Sequence, residues 1–122
     1  MGEVAYADLI GKPFQKAGRG PDVFDCYGLV REMYARRGIA VPNYATGPEA
    51  GSENAQILSG MTVWKKTDEQ PGVVVVFKLL GKLHVGYLLP YGKMIHCWER
   101  SGGVCVERFD TWRNKVIGYY DY

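Results

Sequence analysis

The sequence is short of several things. Lysine and arginine outnumber aspartate and glutamate by little, 15 to 13, leaving a net charge of +2 with no basic run. Nucleic acid is therefore not an expected partner. No apolar run approaches membrane-spanning length; "VVVVF" at 73–77 is strand-sized. The first ten residues, "MGEVAYADLI", lack the basic and apolar regions of a signal peptide, so synthesis in the cytoplasm is expected. Three cysteines without a C-x-x-C spacing argue against a zinc site or a disulfide framework. Neither metal nor cofactor is expected. There are two histidines and no internal repeat or low-complexity tract.

What is present suits a globular α+β fold. Hydrophobic residues make up 47% and aromatics 13% of 122 residues, enough for one domain over 1–122 with a real core. Residues 3–10 are a short helical candidate. In "VFDCYGLVREMYARRG", Cys26, Leu29, Val30, Met33 and Tyr34 recur with helical period, which predicts a helix over about 26–37. Asp25 is its expected N-cap and Gly38 its left-handed stop, with Arg36 and Arg37 at the negative end of the dipole. Thr46 and Glu49 resemble a capping box opening a second helix that ends near Gly60. The long connection of about 43–71 is a natural place for variable function.

Beyond it the pattern becomes β. "VVVVFKLL" and "LHVGYLL" predict two strands around a turn at Gly81 and Lys82, followed by strands at "KMIHCW", "VCVERF" and "VIGYY". A hairpin centred on Tyr91 sets residue 86 opposite 96 and 84 opposite 98. Alternation then turns His84, Gly86, His96 and Trp98 to one face, the two imidazoles diagonal neighbours at roughly 7–8 Å between backbones. A next hairpin centred on Ser101 would pair Cys97 with Cys105 on the other face, expected to remain thiols. It would also put Val104 and Val106 beside the histidines, which predicts that this face lies under the helix carrying Cys26.

A thiol in the first turn of a helix lies near the positive end of the dipole, which favours the thiolate. By itself Cys26 is better explained as a small packed residue. Two imidazoles on one buried face change the balance, because each needs a polar partner. Cys26 as nucleophile, His84 as base and His96 as the group fixing the tautomer of His84 satisfy that need.

"DCYGLV", with "HVGYLL" and then "MIHCW" twelve positions later, resembles the signature of the NlpC-type cell-wall cysteine peptidases, a papain-like family. The similarity extends through "GKPFQKAGRGPDVF", "GIAVPNY" and "PGVVVVF". The form "GR…DCYGLVREMY…GI.VP.Y" is most similar to the branch found in phage and prophage tail-assembly proteins. The resemblance implies N-terminal helices packed on a five-to-six-stranded antiparallel sheet, and a Cys26–His84–His96 triad. It further implies cleavage of a peptidoglycan stem peptide, at the D-glutamyl–diaminopimelate bond. It also implies carriage in the virion tail, with action in the periplasm and other tail proteins as partners. Asp25, Tyr27 and Phe14 are the candidate substrate contacts. Phe14 stands where the family commonly has tyrosine, Tyr27 where serine often follows the nucleophile, and Val73 where aspartate is usual. The alternatives are a weakly active structural tail-tip module, or an amidase or acyltransferase of the same fold.

Overall fold

A computed structural model describes residues 4–43, 64–79 and 81–122. The helix predicted from Thr46 to Gly60 lies outside them. Near the N-terminus the helical candidate shrinks to a single 3-10 turn, Ala7–Leu9. The one α-helix among the described residues, α1, spans Cys26–Ala35. Its end is the expected one: Gly38 has φ +80°, and Ile39 N–H donates back to the Tyr34 carbonyl at 3.0 Å. Arg36 and Arg37, past the last turn, are committed elsewhere. Arg36 forms ion pairs with Asp8 and Glu32, and Arg37 donates to the Gly72 carbonyl.

Six strands follow: β1 (Lys65–Thr67), β2 (Val74–Leu79), β3 (Lys82–Leu89), β4 (Lys93–Trp98), β5 (Gly103–Arg108) and β6 (Val116–Asp121). They form one antiparallel sheet in the order β1-β6-β2-β3-β4-β5. β1 lies inside the stretch read as a connection. Its "KKT" has no apolar alternation, and only its pairing with β6 makes it a strand. Leu79 pairs with Lys82, so Lys82 belongs to β3 rather than to the turn.

The sheet is buried on both faces. On one side Leu29, Val30, Met33 and Tyr34 of α1 pack with Val74, Val76, Val85, Tyr87, Ile95, Cys97 and Val104. Each fully buried aliphatic side chain contributes roughly 1.5–3 kcal/mol, which holds α1 on β3 and β4. On the other side Val75, Phe77, Leu88 and Met94 pack against Phe109 and Trp112 from the connection between β5 and β6.

The β3–β4 hairpin has the predicted register, with Tyr87 opposite Ile95 and Leu89 opposite Lys93. The β4–β5 hairpin does not. Its loop has four residues, a 3-10 turn at Glu99–Ser101 closed by Gly102 at φ +77°, so Trp98 pairs with Gly103 and Cys97 with Val104. This is one residue away from the expected register, and a one-residue slip exchanges the faces of a strand. Val104 and Val106 therefore pack under α1, while Cys105 and Glu107 join His96 on the opposite face. The histidines do not lie beneath the helix. Cys97 and Cys105 point to opposite sides of the sheet and cannot form a disulfide; all three cysteines are thiols.

The start of α1 is tightly located. Asp25, 1% exposed, accepts from Gly28 N–H at 2.6 Å and from Arg19 Nη1 at 2.7 Å on the same oxygen. Asp25 N–H donates to the Gly18 carbonyl, and Cys97 Sγ donates to the Phe24 carbonyl at 3.3 Å. Gly28 is required by this approach, because a Cβ there would overlap the Gly18 carbonyl oxygen. Gly28→Ala is therefore expected to lower stability by about 3 kcal/mol or more, at the upper end of overpacking costs. Gly38→Ala meets open space and should cost only about 1 kcal/mol of backbone strain. Urea unfolding of the two variants checks the ordering; equal losses would mean that the Gly18–Gly28 contact does not locate the helix.

Candidate active site

A cavity of about 210 Å³ lies where the first turn of α1 meets the start of β3 and the end of β4. Phe14, Cys26, Leu79, Leu83, His84 and Trp98 are among its walls. Because it opens at the strand end, it receives Leu83 from the helix side of the sheet and His84 from the far side. Cys26 and His84 thus meet at one cavity although they belong to opposite faces.

Behind His84 runs a chain of polar groups. His84 Nε2 is 2.9 Å from His96 Nδ1, and His96 Nε2 is 2.6 Å from Glu107 Oε2. His84 is 6% exposed and His96 fully buried, among Phe77, Trp98 and Trp112. Gly86 leaves room here, since a Cβ on it would press on Met94 and touch His96.

The proton positions follow from chemistry. An ionised carboxylate only accepts. Burial pushes the Glu107 carboxyl up, but the bonds from His96 and Trp112 outweigh it, and the net shift is downward, toward the ionised form. His96 must then donate from Nε2. Burial holds His96 neutral, only partly opposed by Glu107, so its Nδ1 is a lone pair and accepts from His84 Nε2–H. His84 is also held neutral, by burial first and by the neighbouring imidazole second. Its remaining nitrogen, Nδ1, is left as a base, on a ring that lines the cavity. Glu107 thereby sets the direction of both rings.

Sequence reasoning brought together Cys26, His84 and His96, and the structure places all three at this locus. It missed Glu107, because the assumed β4–β5 register put Glu107 on the wrong face. The available signal was Gly102-Gly103 after a polar "ERS", which suits a four-residue loop with a left-handed glycine. Of the candidate substrate contacts, Phe14 lines the cavity. Asp25 is buried as the helix cap, and Tyr27 is buried with its hydroxyl donating to the Pro42 carbonyl at 2.6 Å. Val73 packs in the far-side core. The corrected register also sets Cys105 Sγ 3.5 Å from His96 Nε2 and 3.6 Å from Glu107 Oε2, a grouping of metal-ligand types that the sequence did not foretell.

Comparison with known proteins decides the family. The family model for NlpC/P60 matches residues 11–120. The chain belongs to the NlpC/P60 family. A relative is the probable endopeptidase p60 of Listeria seeligeri, 29% identical over 113 residues, covering 90% of this chain and 20% of that protein. The chain thus spans about a fifth of the length of this relative. Among solved structures, NlpC1 from Trichomonas vaginalis superposes with a TM-score of 0.71 at 22% identity, over 94% of this chain and 40% of the other. RipD from Mycobacterium tuberculosis, a non-catalytic NlpC/p60 domain protein adapted to peptidoglycan binding, gives 0.64 at 22% identity, over 94% and 88%. These structures share the NlpC/P60 fold, with helix and antiparallel sheet as described.

Neutral buried histidines make stability depend on pH. An unfolded histidine protonates near its ordinary value of about 6.5, whereas His84 and His96 resist protonation when folded. Below that value the unfolded chain binds more protons, so stability falls as pH drops. The slope is up to about 1.4 kcal/mol per pH unit for each ring that stays neutral. Urea midpoints at pH 7 and pH 5 should differ less for His84→Gln than for the wild type. An unchanged difference would mean that His84 is protonated in the folded protein.

Proposed function

We propose that this domain is a cysteine peptidase acting on the peptidoglycan stem peptide, at the D-glutamyl–diaminopimelate bond. One observation carries the reading: a hydrogen-bonded chain from Glu107 through His96 to His84 ends at a cavity shared with Cys26. A packing role for Cys26 does not call for a directed base beside it.

In this mechanism Cys26 Sγ attacks the scissile carbonyl carbon and its proton passes to His84 Nδ1. The imidazolium is stabilised through Nε2–H, donated to His96 Nδ1, and His96 is held in place by Glu107. The backbone N–H of Cys26, in the first turn of α1, supports the oxyanion. His84 returns the proton to the leaving amine, and water, activated by the same ring, releases the acyl group. Phe14 and Trp98 offer apolar walls to the substrate.

A second reading is a binding module without turnover, favoured by the existence of the non-catalytic RipD on this fold. Retention of Cys26, His84 and His96 in one cluster favours catalysis. An amidase or acyltransferase would use the same residues on a different acyl donor. Carriage in a virion tail, with other tail proteins as partners and action in the periplasm, rests on the likeness of "DCYGLVREMY" and "GIAVP" to tail-associated sequences. Mass spectrometry of purified virions tests it, and absence of the chain there would refute it.

Incubation with defined muropeptides and measurement of product masses tests the activity. Cys26→Ala should lower turnover on the order of 10⁴-fold or more, since an acyl-enzyme route has no substitute nucleophile. His84→Ala should be comparably damaging. His96→Ala should cost less, with His96→Asn restoring part of the rate. Glu107→Gln should lower kcat more than it raises KM. Full activity in Cys26→Ala would end the proposal, and intact muropeptides with wild-type protein would support the binding module.

A further inference from the structure

His96, Cys105 and Glu107 occupy adjacent positions on one face of β4 and β5, and they present one nitrogen, one sulfur and one oxygen to a common point. Their ligand atoms lie within 4.8 Å of one another. Zinc held tetrahedrally at its usual bond lengths requires nitrogen–sulfur and oxygen–sulfur separations of roughly 3.5 Å. The observed values are 3.5 Å for Cys105 Sγ to His96 Nε2 and 3.6 Å for Cys105 Sγ to Glu107 Oε2. Only the 2.6 Å hydrogen bond between His96 and Glu107 must open, to roughly 3.3 Å. Glu107 can supply that movement, its side chain being 38% exposed while His96 is fixed and buried. Cys105 is half-buried, so the point is reached from solvent without passing Cys26.

We propose that this cluster is an inhibitory site for a borderline-soft divalent cation, zinc being the best match to a mixed nitrogen, sulfur and oxygen donor set. Three protein ligands leave the fourth position to water. The inhibitory half of the proposal rests on the peptidase reading; the binding half does not.

The link to catalysis lies in which nitrogen of His96 is used. A metal on Nε2 needs a lone pair there, so the proton that Nε2 gives to Glu107 leaves it and the neutral ring carries its proton on Nδ1 instead. There it faces His84 Nε2, which must become an acceptor, and the proton of His84 moves to its own Nδ1. His84 then has no lone pair toward Cys26 and cannot take the thiol proton. Each ring keeps one proton, and the only net release is that of the Cys105 thiol to solvent. Ligating histidines ordinarily donate their other N–H to an outer partner. Here that partner is the proposed catalytic base, so occupancy of the site reverses the base without contact with the nucleophile.

The test uses cobalt(II) and zinc(II) as probes on the full chain. Cobalt added to Cys26→Ala protein should bind one ion per chain, with a near-ultraviolet thiolate-to-metal charge-transfer band that Cys105→Ala abolishes in the same background. In muropeptide hydrolysis, zinc should inhibit the wild type reversibly to chelator. Cys105→Ala, with inhibition read relative to its own zinc-free rate, should need roughly tenfold or more zinc for the same fractional inhibition. Absence of the band in Cys26→Ala protein would overturn the site. Equal zinc sensitivity of wild type and Cys105→Ala would overturn the inhibitory role and assign inhibition to Cys26 itself. If the wild type hydrolyses nothing, the peptidase reading and the inhibitory role fall, and the cobalt experiment alone decides binding.

Discussion

A carboxylate can only accept a hydrogen bond, and the arrangement of this site depends on that restriction. Glu107 receives Nε2–H of His96, and burial denies His96 a second proton. The remaining nitrogen must accept from His84, and the far nitrogen of His84 is left basic beside the Cys26 cavity. No group needs to be charged apart from Glu107, which is partly exposed and can remain so. Desolvation makes each bond in the chain stronger than it would be in water and makes an unpaired imidazole costly. The aromatic shell of Phe77, Trp98 and Trp112 supplies that desolvation.

The thiol side is fixed by a separate device. Asp25 is at once the helix cap, the ion-pair partner of Arg19 and a donor to Gly18, so the residue before Cys26 has little freedom. Gly28 lets the helix approach the Gly18 carbonyl within a distance that no Cβ permits, and Gly18 lets its own loop close on the backbone of Gln15 and Phe24. This makes Asp25 and Gly28 architectural members of the "DCYGLV" stretch. They act through the position of Cys26 rather than through contact with a substrate.

Much of this was legible in the sequence. The period of Cys26, Leu29, Val30, Met33 and Tyr34 predicted α1, with its cap at Asp25 and its stop at Gly38. The centre of the β3–β4 hairpin at Tyr91 predicted that His84 and His96 would meet. The next hairpin failed because its loop length was misjudged by one residue, and in a strand that error exchanges faces. It hid Glu107 and Cys105 and put the helix over the wrong side of the sheet. β1 was illegible for a different reason: three polar residues become a strand only when β6 supplies a partner. The meeting of Cys26 with His84 at a strand end, from opposite faces, is likewise a product of tertiary placement that no local pattern encodes.

Ring-nitrogen NMR on the ¹⁵N-labelled protein at neutral pH tests the central claim most directly, because it reads which nitrogen of each histidine bears the proton. The account predicts that both His84 and His96 are neutral and protonated on Nε2, with Nδ1 bare. It also predicts that Glu107→Ala disturbs the His84 signals although the two residues are bridged only through His96. A His84 ring protonated on Nδ1, or one indifferent to Glu107, would contradict it.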